Sequence, residues 1–297
     1  MNKIIECVPN FSEGRDLGKI EKIVEPFRGQ SGVKLLDYQN DEDHNRVVVT
    51  LVGEPEPLKA AVIEAVGIAT QTIDMTRHSG QHPRMGATDV IPFIPVRNAD
   101  MDDAIALSKQ VAEAIAEKHH LPVFLYEASA TITERQNLAT VRKGQFEGMA
   151  EKLKAPAWQP DFGPAQIHPT AGVTAVGARM PLVAYNVNLG TDNPDIADSI
   201  ARKVRHISGG LRYCKGIGIE LKDRSIVQVS MNMTNYQKTA LYLVFELIRI
   251  EAGRYGVSIV GSEIIGLVPM EALIDTAAYY LGLENFSMNQ VLEARLI

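Results

Sequence analysis

The spacing of apolar and polar positions predicts alternating strands and helices in the first half of the chain. Residues 57–74 and 102–119 carry apolar side chains three and four positions apart, as one face of an amphipathic helix does. Around them, short apolar runs rich in β-branched residues predict strands over residues 3–8, 33–36, 46–52, 90–94 and 122–125. Residues 154–180 break this rhythm with closely spaced prolines and glycines, so we expect an irregular segment there.

A cleaner pattern follows this segment. Asn193 and Pro194 open a predicted helix. Its expected apolar face consists of Ile196, Ile200, Val204 and Ile207. The other predicted elements are a strand over 182–189, a hairpin over 216–221 and 226–231, a helix over 236–252, a strand over 257–260 and a helix over 270–281. The resulting order of strand, helix, strand, strand, helix and strand is the split βαβ arrangement of ferredoxin-like units.

The two patterns together predict an α/β (α+β) fold of two subdomains. We expect α/β sandwiches over residues 1–180 and 181–297, the second of them ferredoxin-like, with a cleft between them. Such a cleft is a common place for a small-molecule site. The 154–180 segment is then either a linker or a functional loop, and its apolar side chains favour the loop.

Composition narrows the class of partner. A net charge of -6 over 297 residues argues against a general nucleic-acid binder, because phosphate contacts need a basic surface. The two cysteines, Cys7 and Cys214, lie far apart and outside any CxxC pattern, which favours a reducing compartment. The opening residues lack the apolar core of a signal peptide, and no apolar run is long enough to span a membrane. We therefore expect a cytoplasmic protein.

Residues 77–95, RHSGQHPRMGATDVIPFIP, hold the densest group of reactive side chains. The charged and titratable members are Arg77, His78, His82 and Arg84. Glycine and proline interrupt any helix here, so the group lies on a loop followed by an apolar strand. Histidine exchanges protons near neutral pH because its ordinary pKa is about 6.5. These features predict an active-site loop.

Simpler interpretations of this loop remain open. Either histidine could be a structural hydrogen-bonding residue, and the arginines could be plain surface charges. His78 and His82 stand four positions apart, as two metal ligands on a helix would. However, Gly80 and Pro83 argue against a helix, and no glutamate or cysteine stands at a useful spacing, so no metal is predicted.

Four long motifs together resemble one family. They are ECVPNFSEGR, RHSGQHPRMGATDVIPFIPV, PDFGPAQIHPTAGVTAVGAR and IVGSEIIGLVP, in that order over nearly the whole chain. This combination resembles glutamate formimidoyltransferase. The resemblance implies transfer of a formimino group from N-formimino-L-glutamate to tetrahydrofolate, which acts as a cosubstrate. It also implies two α/β subdomains with the substrates in the groove between them, a homodimer, and a free-standing enzyme without the cyclodeaminase domain of the animal relatives.

The resemblance also assigns residues. The family's catalytic histidine falls on His82. The family's folate-binding stretch falls on Gly163, Pro164, Ala165, Gln166, Ile167, His168, Pro169, Thr170, Ala171 and Gly172. An NR pair matches Asn45 and Arg46, and both Arg46 and Arg84 suit a substrate carboxylate because a guanidinium pairs with it bidentately. Asp37 is a candidate partner for His82, although Gln39 stands where the animal enzymes carry a second aspartate.

Several alternatives stay open at this point. The donor could carry a formyl rather than a formimino group, or the protein could bind folate without turnover. The stretch 163–172 could be a plain interdomain linker, and Asp37 could lie in a solvated turn. Asn10 and Glu13 match the family opening, yet Ser12 with Glu13 could simply cap a helix.

Overall fold

The computed structural model describes residues 2–295 and divides into two compact units, with the boundary between Arg179 and Met180. Both units combine helices with a β-sheet, which confirms the predicted α/β class. Among the described residues, no helix has the length and apolar character needed to cross a membrane.

The first unit is built on a seven-stranded sheet. Its strands are β1 Ile4–Cys7, β2 Asn10–Phe11, β3 Val33–Asp41, β4 Arg46–Gly53, β5 Thr88–Arg97, β6 Val123–Glu127 and β7 Thr174–Ala178. Its helices are α1 Leu17–Val24, α2 Pro55–Thr72, α3 Met101–His119, α4 Leu138–Arg142 and α5 Gln145–Lys152. The strands β1 and β2 both lie between β4 and β5, so they form one strand interrupted at Val8 and Pro9.

The first unit contains a split βαβ arrangement that the sequence pattern did not reveal. The interrupted strand, α1, β3, β4, α2 and β5 follow the same order as a ferredoxin-like unit, with β3, β4, the interrupted strand and β5 side by side. The helix α1 escaped notice because it has only eight residues. The strands β7 and β6 then extend the sheet in parallel beyond β5.

The strand β7 corrects the prediction that residues 154–180 are irregular. Thr174–Ala178 is fully buried and pairs in parallel with both β5 and β6. A parallel strand that is buried on both faces shows no polar alternation, and TAVGA is too short and small-sided to stand out. The remainder of this segment contains a short 3₁₀ helix, Pro156–Trp158, and irregular loops.

Two apolar clusters lie on opposite faces of this sheet. On one face, Val47, Val49 and Leu51 of β4 pack with the apolar sides of α1, α2 and α3. On the other face, Phe124 and Tyr126 of β6 pack with residues of α4 and α5. The alternate residues of β4, including Arg46, Val48 and Thr50, point away from the first cluster and are only partly buried. This leaves a partly exposed stretch of sheet on the same face as the second cluster.

The second unit has the ferredoxin-like topology expected from the sequence. Its elements are β8 Val183–Leu189, α6 Pro194–Val204, β9 Cys214–Leu221, β10 Ile226–Met233, α7 Leu241–Arg254, β11 Ile259–Ile265 and α8 Met270–Leu281. The strand order is β11, β8, β10, β9, and every pairing is antiparallel. The helices α6 and α7 bury their apolar sides against β8 and β10.

Some predicted bounds in the second unit were wrong. Ile207 is 88% exposed, because α6 ends at Val204 and Ile207 lies outside the helical face. The helix predicted from 236 begins at Leu241. Asn235 explains the delay, since its side chain accepts from the Lys238 amide at 3.1 Å and holds a turn there. The last strand lies at Ile259–Ile265 rather than 257–260.

Candidate functional site

Three motifs that are far apart in sequence meet at one edge of the first unit's sheet. The strands β4 and β5 run in the same direction, because each is antiparallel to β2. The strands β7 and β6 are parallel to β5, so all four begin at the same edge. The loops that precede β4, β5 and β7, together with the end of β2, therefore share this edge.

Two glycines bring the histidine loop against the 163–172 stretch. Gly86 and Gly172 form an isolated antiparallel bridge. The Ala87 amide donates to the Ala171 carbonyl at 2.8 Å, and the Val173 amide donates to the Met85 carbonyl at 3.0 Å. A Cβ at Gly86 would lie 2.1 Å from the Val173 oxygen, so no larger side chain fits without displacing one loop.

The buried Asn45 side chain joins the opening motif to the histidine loop. Its Oδ1 accepts from the Gly14 amide at 2.9 Å, and its Nδ2 donates to the Ser79 carbonyl at 3.0 Å. Its backbone adopts φ 49°, in the left-handed region that asparagine tolerates. The side chain predicted to contact substrate thus holds two loops together in this structure.

Glu13 of the opening motif stabilises the start of a helix, as the simpler interpretation of this motif predicted in part, whereas Ser12 does not. Glu13 Oε1 accepts from the Arg15 and Asp16 amides at 3.1 and 3.0 Å, just before α1. Ser12 does something different: its Oγ donates to the Gly86 carbonyl at 2.7 Å. The motif therefore anchors the histidine loop as well as the start of a helix.

The two histidines of the loop differ in their hydrogen bonds. His78 Nε2 lies 2.9 Å from the Asn45 carbonyl, to which it donates. Its Nδ1 accepts from Arg84 Nε at 3.1 Å. Both ring nitrogens are thus engaged, and burial lowers the pKa of His78 from its ordinary value. His78 is a neutral residue that holds the loop.

His82, the histidine predicted to be catalytic, has only one ring nitrogen engaged among the described residues. Its Nε2 lies 2.5 Å from Arg46 Nη1. A guanidinium only donates, so Nε2 accepts and the ring proton sits on Nδ1. Within residues 2–295, the buried Nδ1 forms no hydrogen bond of normal geometry. Burial lowers the pKa of His82 to about 3, with further lowering by Arg46, Arg142 and His44 and a smallest, opposing effect from the Pro83 backbone.

The two arginines that were predicted to bind a carboxylate stand in opposite situations. Arg84 already pairs bidentately with Glu147, at 2.7 and 2.9 Å, and it also donates to Gln145 at 3.0 Å and to the His78 carbonyl at 3.2 Å. Its carboxylate partner is therefore Glu147 of the same chain rather than a substrate. Arg46 forms no ion pair within 4.0 Å among the described residues. Burial lowers the pKa of Arg46, as expected for a partly desolvated cation.

Sequence reasoning missed a buried ion pair beside these groups. Arg142, the last residue of α4, donates to the Asp89 carboxylate, and Asp89 is only 1% exposed. The other Asp89 oxygen accepts from the Met85 amide at 3.0 Å, which ties the pair to the histidine loop. An aspartate within the apolar run that forms β5 was a usable signal, whereas nothing in the sequence pointed to Arg142.

The strand predicted over residues 33–36 is longer in the structure, so Asp37 lies within it. The strand β3 continues to Asp41, and Asp37 lies opposite Thr50 of β4. Its carboxylate accepts from Gln39 Nε2 at 3.1 Å. Asp41 is the acidic residue opposite Arg46, and it binds His44 Nδ1 at 2.7 Å. Asp37 thus bonds to the residue that stands in place of the animal aspartate.

The stretch 163–172 is an anchored loop rather than a free linker. At its start, the Val123 amide donates to the Phe162 carbonyl at 2.9 Å. At its end, His168 and Gly172 exchange both backbone hydrogen bonds, at 3.1 and 3.0 Å. His168 Nδ1 also accepts from the Ala171 amide at 2.9 Å, so this histidine stabilises a turn. Residues 163–166, between the anchors, are exposed.

Acid should destabilise the protein through His82. Its pKa in the fold is about 3, whereas an unfolded histidine titrates near 6.5. As the pH falls from 6.5 towards 3, the unfolded chain binds a proton that the folded chain refuses, so stability decreases. We expect the urea midpoint of His82→Gln to fall less than that of the wild type between pH 7 and pH 4.5. Equal decreases would contradict the buried, neutral state of His82.

Comparisons with known proteins agree with the predicted resemblance. A family model described as "Formiminotransferase domain, N-terminal subdomain" matches residues 4–179, and one described as "Formiminotransferase domain" matches residues 184–297. The likeness to solved structures is weak. For example, a microcompartment protein from Desulfitobacterium hafniense DCB is 12% identical, with a TM-score of 0.20 over 92% of this chain and 98% of that one.

Relatives match over the full chain. Glutamate formimidoyltransferase of Streptococcus pyogenes serotype M1 is 56% identical and covers 100% of both chains. The protein of that name from Thermoplasma acidophilum is 43% identical over 99% of this chain and 97% of its own. The formimidoyltransferase-cyclodeaminase of Rattus norvegicus is 40% identical over all of this chain but only 56% of its own length. The chain therefore belongs to the formiminotransferase domain family.

Proposed function

We propose that this protein is a glutamate formimidoyltransferase, which transfers the formimino group of N-formimino-L-glutamate to tetrahydrofolate and releases L-glutamate. The observation that carries the proposal is the pairing of His82 with Arg46, which is free of carboxylates among the described residues. This contact supports a site in which a proton-transfer group lies beside a receptor for an acidic substrate. The 56% identical relative bears the name of this activity, which also favours it over formyl transfer.

The reaction needs one proton to be moved. The lone pair of tetrahydrofolate N5 attacks the amidine carbon, and the C=N π electrons move to the imino nitrogen. The tetrahedral adduct then expels the glutamate nitrogen and re-forms the C=N bond. In this proposal His82 takes the N5 proton at Nε2 and returns it to the departing nitrogen. Such general acid–base catalysis contributes typically 100- to 10,000-fold.

Two further segments complete the proposed site. Arg46 receives a carboxylate of the donor, since a guanidinium fork matches that group bidentately. The exposed residues 163–166 contact the folate, because the anchored loop presents its backbone at the edge of the sheet where His82 lies. Tetrahydrofolate acts as a cosubstrate that arrives and leaves with each turnover.

We further infer a cytoplasmic homodimer. Both cysteines are free and buried, as suits a reducing compartment. The helices α7 and α8 expose several large apolar side chains, which supports self-association. Its members are Leu243, Ile250, Leu273, Tyr279, Tyr280 and Leu281.

A direct assay tests the proposed activity. Purified protein is mixed with tetrahydrofolate and either formiminoglutamate or N-formylglutamate, and the folate product is converted with acid to methenyl-tetrahydrofolate and read by absorbance. We expect turnover with the formimino donor and little with the formyl donor. Turnover with the formyl donor alone would show that the reaction is formyl transfer. Turnover with neither donor would contradict an enzymatic role and leave folate binding as the function.

A further inference from the structure

The Arg46 side chain is a partly buried cation that forms no ion pair within 4.0 Å in residues 2–295. Arg142 and Asp89 neutralise each other, and Asp41, across the strand from Arg46, bonds to His44 instead. Arg46 donates only to the neutral His82 ring among the described residues. Desolvating a charge without an opposite charge is costly, so this arrangement favours an anion that arrives from solution.

The contact between Arg46 and His82 also occupies the nitrogen that catalysis requires. Nε2 of His82 accepts a hydrogen bond from Arg46, and Nδ1 is buried and carries the ring proton. While this bond persists, His82 has no accessible lone pair with which to take a proton. A carboxylate is a better partner for Arg46 than an imidazole, because it accepts two parallel charge-assisted hydrogen bonds.

We propose that Arg46 couples recognition of the donor to activation of His82: a carboxylate of the donor draws the guanidinium away from His82 Nε2 and so frees that atom for proton transfer. This inference rests on the proposed function for the identity of the donor. It makes Arg46 the residue that selects donors bearing a carboxylate, and it keeps His82 inactive until such a donor is bound.

The charges around His82 lower its pKa, and a bound carboxylate counteracts them. Arg46 from β4, Arg142 from α4 and His44 from the turn before β4 all face the ring and disfavour its protonation. The carboxylates of Asp89 and Asp41 partly oppose the lowering of the Arg46 pKa that burial causes. A bound carboxylate adds a negative charge to this group and lets Arg46 move away. Both effects raise the pKa of His82 towards the value that suits a proton relay.

The coupling can be measured on the histidine itself. In protein labelled at the histidine ring carbons, NMR follows the titration of His82, assigned by its loss in His82→Gln. We expect saturating L-glutamate, the dicarboxylate product, to raise the pKa of His82 by roughly 1–3 units, the usual effect of a nearby opposite charge. In Arg46→Gln, the pKa should already be raised without ligand and should not respond to glutamate.

A matched control is available on the same loop. Arg77 carries the same charge, but its side chain is 89% exposed. Arg77→Gln should titrate and respond like the wild type. Unchanged titration of wild-type His82 in saturating glutamate would overturn the coupling, as would an equal response in Arg46→Gln. Failure of both glutamate and formiminoglutamate to bind, measured by calorimetry, would overturn it as well.

Donor selectivity gives a kinetic readout. Formamidine carries the reactive amidine without a carboxylate and cannot draw Arg46 away from His82, so its kcat/KM should rise in Arg46→Gln, where Nε2 is already free. The kcat/KM for formiminoglutamate should fall roughly 10- to 100-fold, as expected when a charged hydrogen bond is lost. Equal losses for both donors would indicate a merely structural role. If the wild type fails to transfer from either donor but His82 still responds to glutamate, the proposed function is wrong while the coupling stands.

Discussion

Replacing His82 with alanine is expected to lower kcat by roughly 100- to 10,000-fold while leaving folate affinity nearly unchanged, because the substitution removes the proton relay and little else. The ring is only partly buried, and its single hydrogen bond within the described residues is to Arg46. Single-turnover rates and folate binding by fluorescence, measured on the same preparation, separate these two quantities.

The control for this variant is His206→Ala, which removes an exposed histidine of the second unit. It should turn over at the wild-type rate. Added imidazole should restore part of the activity of His82→Ala, since a small base can occupy the vacated space, and it should do nothing for the control. Wild-type turnover by His82→Ala would reject the assignment, and a parallel loss of folate binding would indicate a structural role instead.

Replacing Gly86 with alanine is expected to give the largest loss of stability, about 3 kcal/mol. The new Cβ would lie 2.1 Å from the Val173 carbonyl oxygen. Both residues are buried at the edge of the sheet, so neither backbone can move away easily. Relief requires the histidine loop to separate from the 163–172 stretch, so turnover should fall with stability. Thermal unfolding should show a midpoint lowered by roughly 6–12 °C for a unit of this size.

Gly148→Ala is the matched control. Gly148 lies inside α5, where a Cβ would meet no atom within 4 Å. Alanine is the better helix former, so this variant should keep its activity and gain about 0.5–1 kcal/mol. A Gly86→Ala protein that melts like the wild type would show that the two loops are not held as closely as the structure has them.

The sequence by itself determined the features that depend on local order. The second unit's topology followed from strands and helices whose apolar residues repeat with the regular periods of each element, and β10 and α6 show those periods in their buried residues. The histidine loop followed from Gly80, Pro83 and Gly86, which break a helix whatever surrounds them. The family resemblance also came from local order, since it rests on motifs of consecutive residues.

The tertiary structure alone decided which of those residues act together. His78 and His82 look equivalent along the chain, yet their contacts with Asn45 and Arg46, over 30 residues away, differ. His78 uses both ring nitrogens, whereas Nδ1 of His82 has no hydrogen bond within residues 2–295. The pairing of Arg142 with Asp89 spans 53 positions and has no local signal. β7 is defined by its neighbours rather than by its own pattern. These features depend on parallel strands starting at a common edge, and that geometry exists only once distant segments have paired.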